Sequence, residues 1–369
     1  VSKSAVATML GCVIAGCGGD SPMAGDSGDE SAIEVLWAHE RGADGREFEQ
    51  ILGAVTLPNG VIAVADHMTA RVHFFSPTGS SLAWSGGTGS GPGEFRDLTA
   101  FGASRDGTAW AYDRNLRRVT WFGEDGRTMR SAPVETDVAS WGSNMLGELD
   151  SGALVLVEKT VPFPNAQRTT PTYRDSTLVV AYLPGDSVAS AIGRFPLFDM
   201  TVGRNSRGPT TSIHPHGPRL QATVDRKRRG VLIGFSDAPE IRLLSAAGVE
   251  LNRIHVPLIP RKVTAAENAV VEERRARLHQ DRSSLAEAPT HMPVFGRILS
   301  ITEGDVWVEV IIEPGDPAQW VVLRHDRSPP VTVTLPKRFT LLEVNGTRIL
   351  GVSRDEDDVE TLVYAVLRR

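Results

Sequence analysis

The chain has 369 residues, 41% hydrophobic and 23% charged, which is ample material for a buried core. A formal net charge of −6 and a pI near 5.9 leave no general basic field to hold nucleic acid. Both cysteines, Cys12 and Cys17, fall near the amino terminus, so the rest of the chain has no disulfide or thiolate metal site.

Residues 1–16 read as a secretory signal peptide: Lys3 is followed by a small, apolar stretch from Ala5 to Gly16. That stretch is shorter than the roughly 20 residues a spanning helix needs. It ends in Ile14-Ala15-Gly16-Cys17, which resembles the bacterial lipobox, and the resemblance implies acylation of Cys17 and cleavage before it. Residues 17–32 then form the lipidated cysteine and a linker of Gly, Ser and Asp with little to bury.

From residue 33 to 369 the dominant signal is a repeat. Asn59-Gly60 and Asp106-Gly107 are turn dipeptides 47 residues apart, and their surroundings align at the same offset. Glu47-Phe48 matches Glu94-Phe95, Asp66 matches Asp113, Arg71-Val72 matches Arg118-Val119, and Phe74-Phe75 matches Trp121-Phe122. Further turns ending in Gly follow at Ser151-Gly152, Arg229-Gly230, Glu303-Gly304 and Asn345-Gly346, each between two apolar runs. Six such turns predict an all-β, six-bladed β-propeller. The last blade lacks a fourth strand and Ile33–His39 is surplus at the start, so an amino-terminal strand is expected to close the ring.

The six glycines are spaced by 47, 45, 78, 74 and 42 residues, which places extra material at 158–177, 196–219 and 258–295. By strand order these connections leave the ring at one end, an insertion-bearing face suited to binding. The last insertion, between blades 4 and 5, carries the one expected helix, a surface element. Thr264 and Glu267 are spaced as a capping box, and Val271, Leu278 and Leu285 mark an apolar stripe.

With Gly87–Phe95 (GTGSGPGEF) and the repeats on either side, the chain resembles the NHL-like and TolB-like six-bladed propellers, in particular uncharacterised bacterial propeller lipoproteins. The resemblance implies the fold. It implies no one activity, because binding modules, lactonases and lyases share this architecture.

Asp66 and Asp113 end equivalent strands, and their repetition points to structural acceptors for loop amides, with Arg71 or Arg118 nearby. Glu47 and Glu94 read the same way, with Phe48 and Phe95 in the core. Trp110, Trp121, Trp307 and Trp320 are expected to pack between blades. The basic run Arg226-Lys227-Arg228-Arg229 and the acidic run Asp355–Asp358 read as solvated hairpins.

The candidate binding face gathers His67, Arg114, His214, His216, Arg219 and His291. His214-Pro215-His216 would ligate a metal only if His291 or a carboxylate joined it. The sequence requires no cofactor, and Ca²⁺ or Zn²⁺ stands as the metal alternative.

These readings favour a binding or scaffold module over an enzyme. It would sit in the bacterial cell envelope, on the periplasmic or outer-surface side, lipid-anchored to the membrane, and hold a protein, peptide or glycan. The alternative is a metal-dependent hydrolase or lyase with its site at the central channel.

Overall fold

A computed structural model describes residues 32–135, 143–158, 172–186, 188–205, 208–213, 215–277, 289–301 and 303–368. The first strand, β1 (Ala32–His39), precedes the blades. Blade 1 is β2 (Ile51–Thr56), β3 (Ile62–Asp66), β4 (Arg71–Phe75) and β5 (Ser81–Gly86). Blade 2 is β6 (Leu98–Ala103), β7 (Ala109–Asp113), β8 (Arg118–Phe122) and β9 (Thr128–Pro133). Blade 3 has five strands: β10 (Asn144–Glu148), β11 (Leu154–Val157), β12 (Thr172–Tyr182), β13 (Ser190–Asn205) and β14 (Gly208–Ile213).

Blade 4 is β15 (Leu220–Asp225), β16 (Gly230–Phe235), β17 (Glu240–Leu244) and β18 (Glu250–His255), and is followed by α1 (Ala265–Arg277). Blade 5 is β19 (Ile298–Ser300), β20 (Val306–Glu309), β21 (Gln319–Leu323) and β22 (Val331–Thr334). Blade 6 is β23 (Phe339–Asn345), β24 (Arg348–Arg354) and β25 (Glu360–Arg368), and β1 completes it by pairing antiparallel with β25. The six sheets form the propeller expected from the repeat. Among the described residues no helix is long and apolar enough to cross a membrane.

The core is divided by blade. Six clusters of buried residues each lie between two neighbouring blades, running round the ring from blades 1 and 2 to blades 6 and 1. The second strands β3, β7 and β11 are buried at every position, because their two faces serve two different clusters. Trp110 and Trp121 fall in one cluster and Trp307 and Trp320 in another, as the repeat predicts. The outer strands β5, β9 and β18 are largely exposed.

The repeated turns have a physical basis. Gly60, Gly107, Gly152, Gly304 and Gly346 all have positive φ, between 62° and 95°, where a side chain is disfavoured. Blade 4 departs from this rule: Arg229 takes the left-handed position (φ 54°), and Gly230 is needed because a Cβ there would meet the Leu244 carbonyl oxygen at 2.5 Å. Asp66 accepts backbone N–H groups from Glu49, Gln50, Met68 and Thr69, and Asp113 from Arg96, Asp97 and Leu116. Each thereby secures a turn whose last residue, Ala70 or Arg117, also has positive φ. Their expected arginine neighbours point elsewhere. Arg71 pairs with Asp44, and Arg118 donates to the carbonyls of Ser90, Gly91 and Glu94.

At the helix, Thr264 and Glu267 form the reciprocal capping box, and Arg261 ties Glu267 to the carbonyls of Ile311 and Ile312. Val271 is buried, while Leu278 and Leu285 lie outside the described residues.

Candidate functional site

The largest departure from a regular blade is in blade 3. Residues 172–177, 196–205 and 208–213, expected within connecting loops, continue the sheet. Thr172–Thr177 of β12 pairs with Phe195–Thr201 of β13, and β13 then turns into β14. The result is an arm that overruns the ring at the insertion-bearing end.

Between this arm and blade 4 lies a cleft of about 220 Å³. Phe195, Pro196, Leu220, Ile233 and Phe235 give it an apolar floor. Four charged side chains stand around it, and they differ in how far they are engaged. Arg174 is the most engaged: it binds Asp199 through two nitrogens (2.8 and 3.3 Å) and Asp237 through a third (2.7 Å). Its guanidinium also lies 4.4 Å from the centre of the Phe235 ring. The hydrogen bond to Asp199 is the main reason its pKa is held above the ordinary value. Arg174 thus bridges blades 3 and 4. Glu240 pairs with Arg253 at 3.1 Å. The Arg242 side chain makes no hydrogen bond within the described residues; its nearest carboxylate, on Glu250, is 3.9 Å away, and it lies 5.4 Å from the Phe195 ring.

A second polar group gathers at the opposite end of the ring axis. Glu343, on the inner strand β23, accepts hydrogen bonds from the Thr56 N–H (2.8 Å) and hydroxyl (2.6 Å) of the neighbouring inner strand. Part of its surface is accessible, yet protein surrounds the carboxyl on nearly every side, and burial pushes its pKa up to about 7. Glu148 is buried and accepts from the Ser104 hydroxyl (2.5 Å) and the Trp121 indole N–H (3.0 Å).

Arg226 lies within electrostatic reach of Glu148, Asp150 and Glu343, and burial lowers its pKa. The basic run is therefore not a uniformly solvated hairpin. Lys227 and Arg229 are exposed, Arg228 pairs with Asp225, and Arg226 turns inward toward carboxylates from blades 3 and 6.

The sequence-derived candidates among the described residues occupy the connections at the insertion-bearing end without converging on the cleft. The His67 ring lies 2.6 Å from the Leu98 carbonyl oxygen of blade 2, and Arg114 binds Asp97 at 2.8 Å, so each ties one connection to another. The Arg219 backbone N–H donates to Ser236 (2.9 Å), and its side chain is exposed. His216 is half-buried between β14 and β15, and His291 sits 3.0 Å from the Thr290 hydroxyl. His214 and Cys17 lie outside the described residues. Among the described residues no three His, Cys, Asp or Glu side chains are arranged to hold a metal ion.

The cleft was missed because its parts come from Arg174, Phe195 and Arg242, residues far apart in sequence. The unusual length of the segments between blades 3 and 4 was the available signal.

No protein-family model matches the sequence, and no curated protein does. Solved structures do. An exported protein from Bacteroides fragilis NCTC 9343 matches with a TM-score of 0.53 and 12% identity, over 94% of this chain and 98% of that one. A member of the DUF4221 family from Bacteroides vulgatus ATCC 8482 matches with a TM-score of 0.55 and 9% identity, over 92% and 98%. These likenesses show the fold. Virginiamycin B lyase from Staphylococcus aureus overlaps less closely, with a TM-score of 0.44 and 12% identity over 90% and 99%. Shared architecture at such identities carries no activity with it.

Proposed function

We propose that the chain is an extracytoplasmic binding module, tethered to a membrane through Cys17, whose insertion-bearing end holds a protein, peptide or glycan partner. The observation that carries this reading is the cleft between the blade 3 arm and blade 4, at the end where the long connections gather. The signal-like residues 1–16 and the exported neighbour of the same fold support the location.

Photo-crosslinking in the native envelope tests it. A benzoylphenylalanine at exposed Ala238, on the cleft rim, is expected to capture a discrete partner. The same probe at exposed Arg127, in a turn at the other end, is expected to capture none. The reverse pattern would overturn the reading. Anchoring is tested separately: Cys17→Ala is expected to release the protein from the membrane fraction, and unchanged fractionation would refute the tether.

A second reading rests on Glu343, a carboxyl with a pKa near neutrality among charges from three blades, which is suited to proton transfer at the channel. A metal-dependent hydrolase or lyase there would hold a stoichiometric Ca²⁺ or Zn²⁺ after dialysis, which elemental analysis would detect.

A further inference from the structure

We infer that the cleft between blades 3 and 4 receives the carboxyl-terminal residue of a partner polypeptide, a large apolar residue whose free carboxylate is bound by Arg242. The inference deepens the binding-module reading and rests on it.

Three observations lead there. At about 220 Å³ the cleft lies below the roughly 300 Å³ at which pockets for drug-sized ligands begin, so it has room for about one residue. Its floor of Phe195, Pro196, Leu220, Ile233 and Phe235 suits a branched aliphatic or aromatic side chain. The charges decide the rest. Asp237 already pairs with Arg174 and Glu240 with Arg253, so each carboxylate's charge is balanced by an arginine of the fold. Among the four charged side chains, the Arg242 guanidinium is the least engaged: it makes no side-chain hydrogen bond within the described residues, and its nearest carboxylate, on Glu250, is 3.9 Å away. An open guanidinium beside an apolar floor is complementary to a carboxylate attached to an apolar side chain. The same imbalance disfavours a free amino acid, whose ammonium would have to compete with Arg174 and Arg253 for its acidic neighbours. A chain terminus, with its nitrogen already in a peptide bond, avoids that cost.

Arg242 is also well placed to discriminate. It lies on β17 directly across from Ile233 of β16, so the packed sheet, not a loop, sets its position. Arg174 fixes the facing wall by bridging the two blades.

The test is calorimetric titration of the full chain with three probes: acetyl-Ala-Ala-Leu bearing a free carboxylate, the same peptide as its carboxamide, and free leucine. The acid is expected to bind at least about tenfold more tightly than the carboxamide, as befits a charge-assisted hydrogen bond. It should also bind more tightly than free leucine. Arg242→Gln should abolish the preference for the acid while leaving the melting temperature close to wild type. Ala238→Trp, a change at an exposed rim position outside the core, should block the mouth and weaken both peptides.

Equal binding of acid and carboxamide, a preference that survives Arg242→Gln, or no binding of any probe would overturn the inference. Free leucine binding as tightly as the peptide acid would replace the polypeptide with an amino acid and overturn it equally. The crosslinking result is read independently. Capture at Ala238 without peptide binding removes this ligand and keeps the binding face. Peptide binding with capture only at Arg127 keeps the cleft chemistry and removes the partner face.

Discussion

Glu343 should make the stability of the ring fall as pH rises, and the sign follows from its surroundings. Burial moves its carboxyl from an ordinary 4.5 to about 7, against the opposing hydrogen bonds of Thr56 and the charge of Arg226. A carboxyl whose folded pKa is raised holds its proton more tightly in the folded chain than in the unfolded one. Between pH 4.5 and about 7 the folded state therefore binds more protons, and stability drops with increasing pH. The contribution is full below about 4.5 and lost as pH passes through about 7. At about 1.4 kcal/mol per pKa unit, the span amounts to about 3 kcal/mol, an upper bound because part of the residue meets water. Glu343→Gln keeps an acceptor for Thr56 and cannot ionise. Urea denaturation of wild type and variant between about pH 4.5 and 8.5 should show near-equal stability at the acid end. At the alkaline end the variant should be ahead by about 1–3 kcal/mol. A difference that does not change with pH would refute the argument. So would a wild type that gains stability as pH rises, since the attraction of Arg226 would then outweigh burial.

Asp113→Ala should cost about 3 kcal/mol in urea denaturation, because three backbone N–H groups lose their buried acceptor; a loss below about 1 kcal/mol would show that water replaces it. Removing residues 32–39 should leave β25 as an open edge and strip Trp37 from Phe75 and Tyr364, giving a lower melting temperature and self-association on size-exclusion chromatography. Thr264→Ala should speed amide exchange in the first turn of α1 by about fivefold, the equivalent of about 1 kcal/mol, with the ring unaffected.

The fold was legible because the strongest local signals were also the structural ones. Asn59-Gly60 and Asp106-Gly107 mark backbone that must take positive φ, and surplus apolar residues Ile33–His39 belong to the strand that pairs with β25. Asp66 and Asp113 were legible as structural acceptors because a site used once has no reason to recur at the blade period. What could not be read depended on residues brought together only by closure of the ring. Arg226 belongs to a run of four cations that suggests a solvated turn, yet the carboxylates that act on it come from blades 3 and 6. The β13–β14 arm was hidden because Pro196 and Pro209 interrupt the alternation that announces a strand. The candidate residues His67 and Arg114 were chosen for their loops, and contacts to Leu98 and Asp97 account for them there.

The two ends of the ring are built for different purposes, and the packing explains how they can be. Each core cluster is confined to two adjacent blades, so lengthening a connection at one end leaves the clusters below it intact. At the end with short turns, the chain folds back on itself and part of its charge faces inward, with Arg226 within reach of both Glu148 and Glu343. At the other end, the extra length of blade 3 becomes ordered sheet that Arg174 secures to blade 4. A cleft walled by two packed sheets loses little entropy when it is filled, so even a pocket for one residue can bind selectively. The discrimination then rests on Arg242, the cleft cation that the fold positions but does not neutralise at hydrogen-bonding distance.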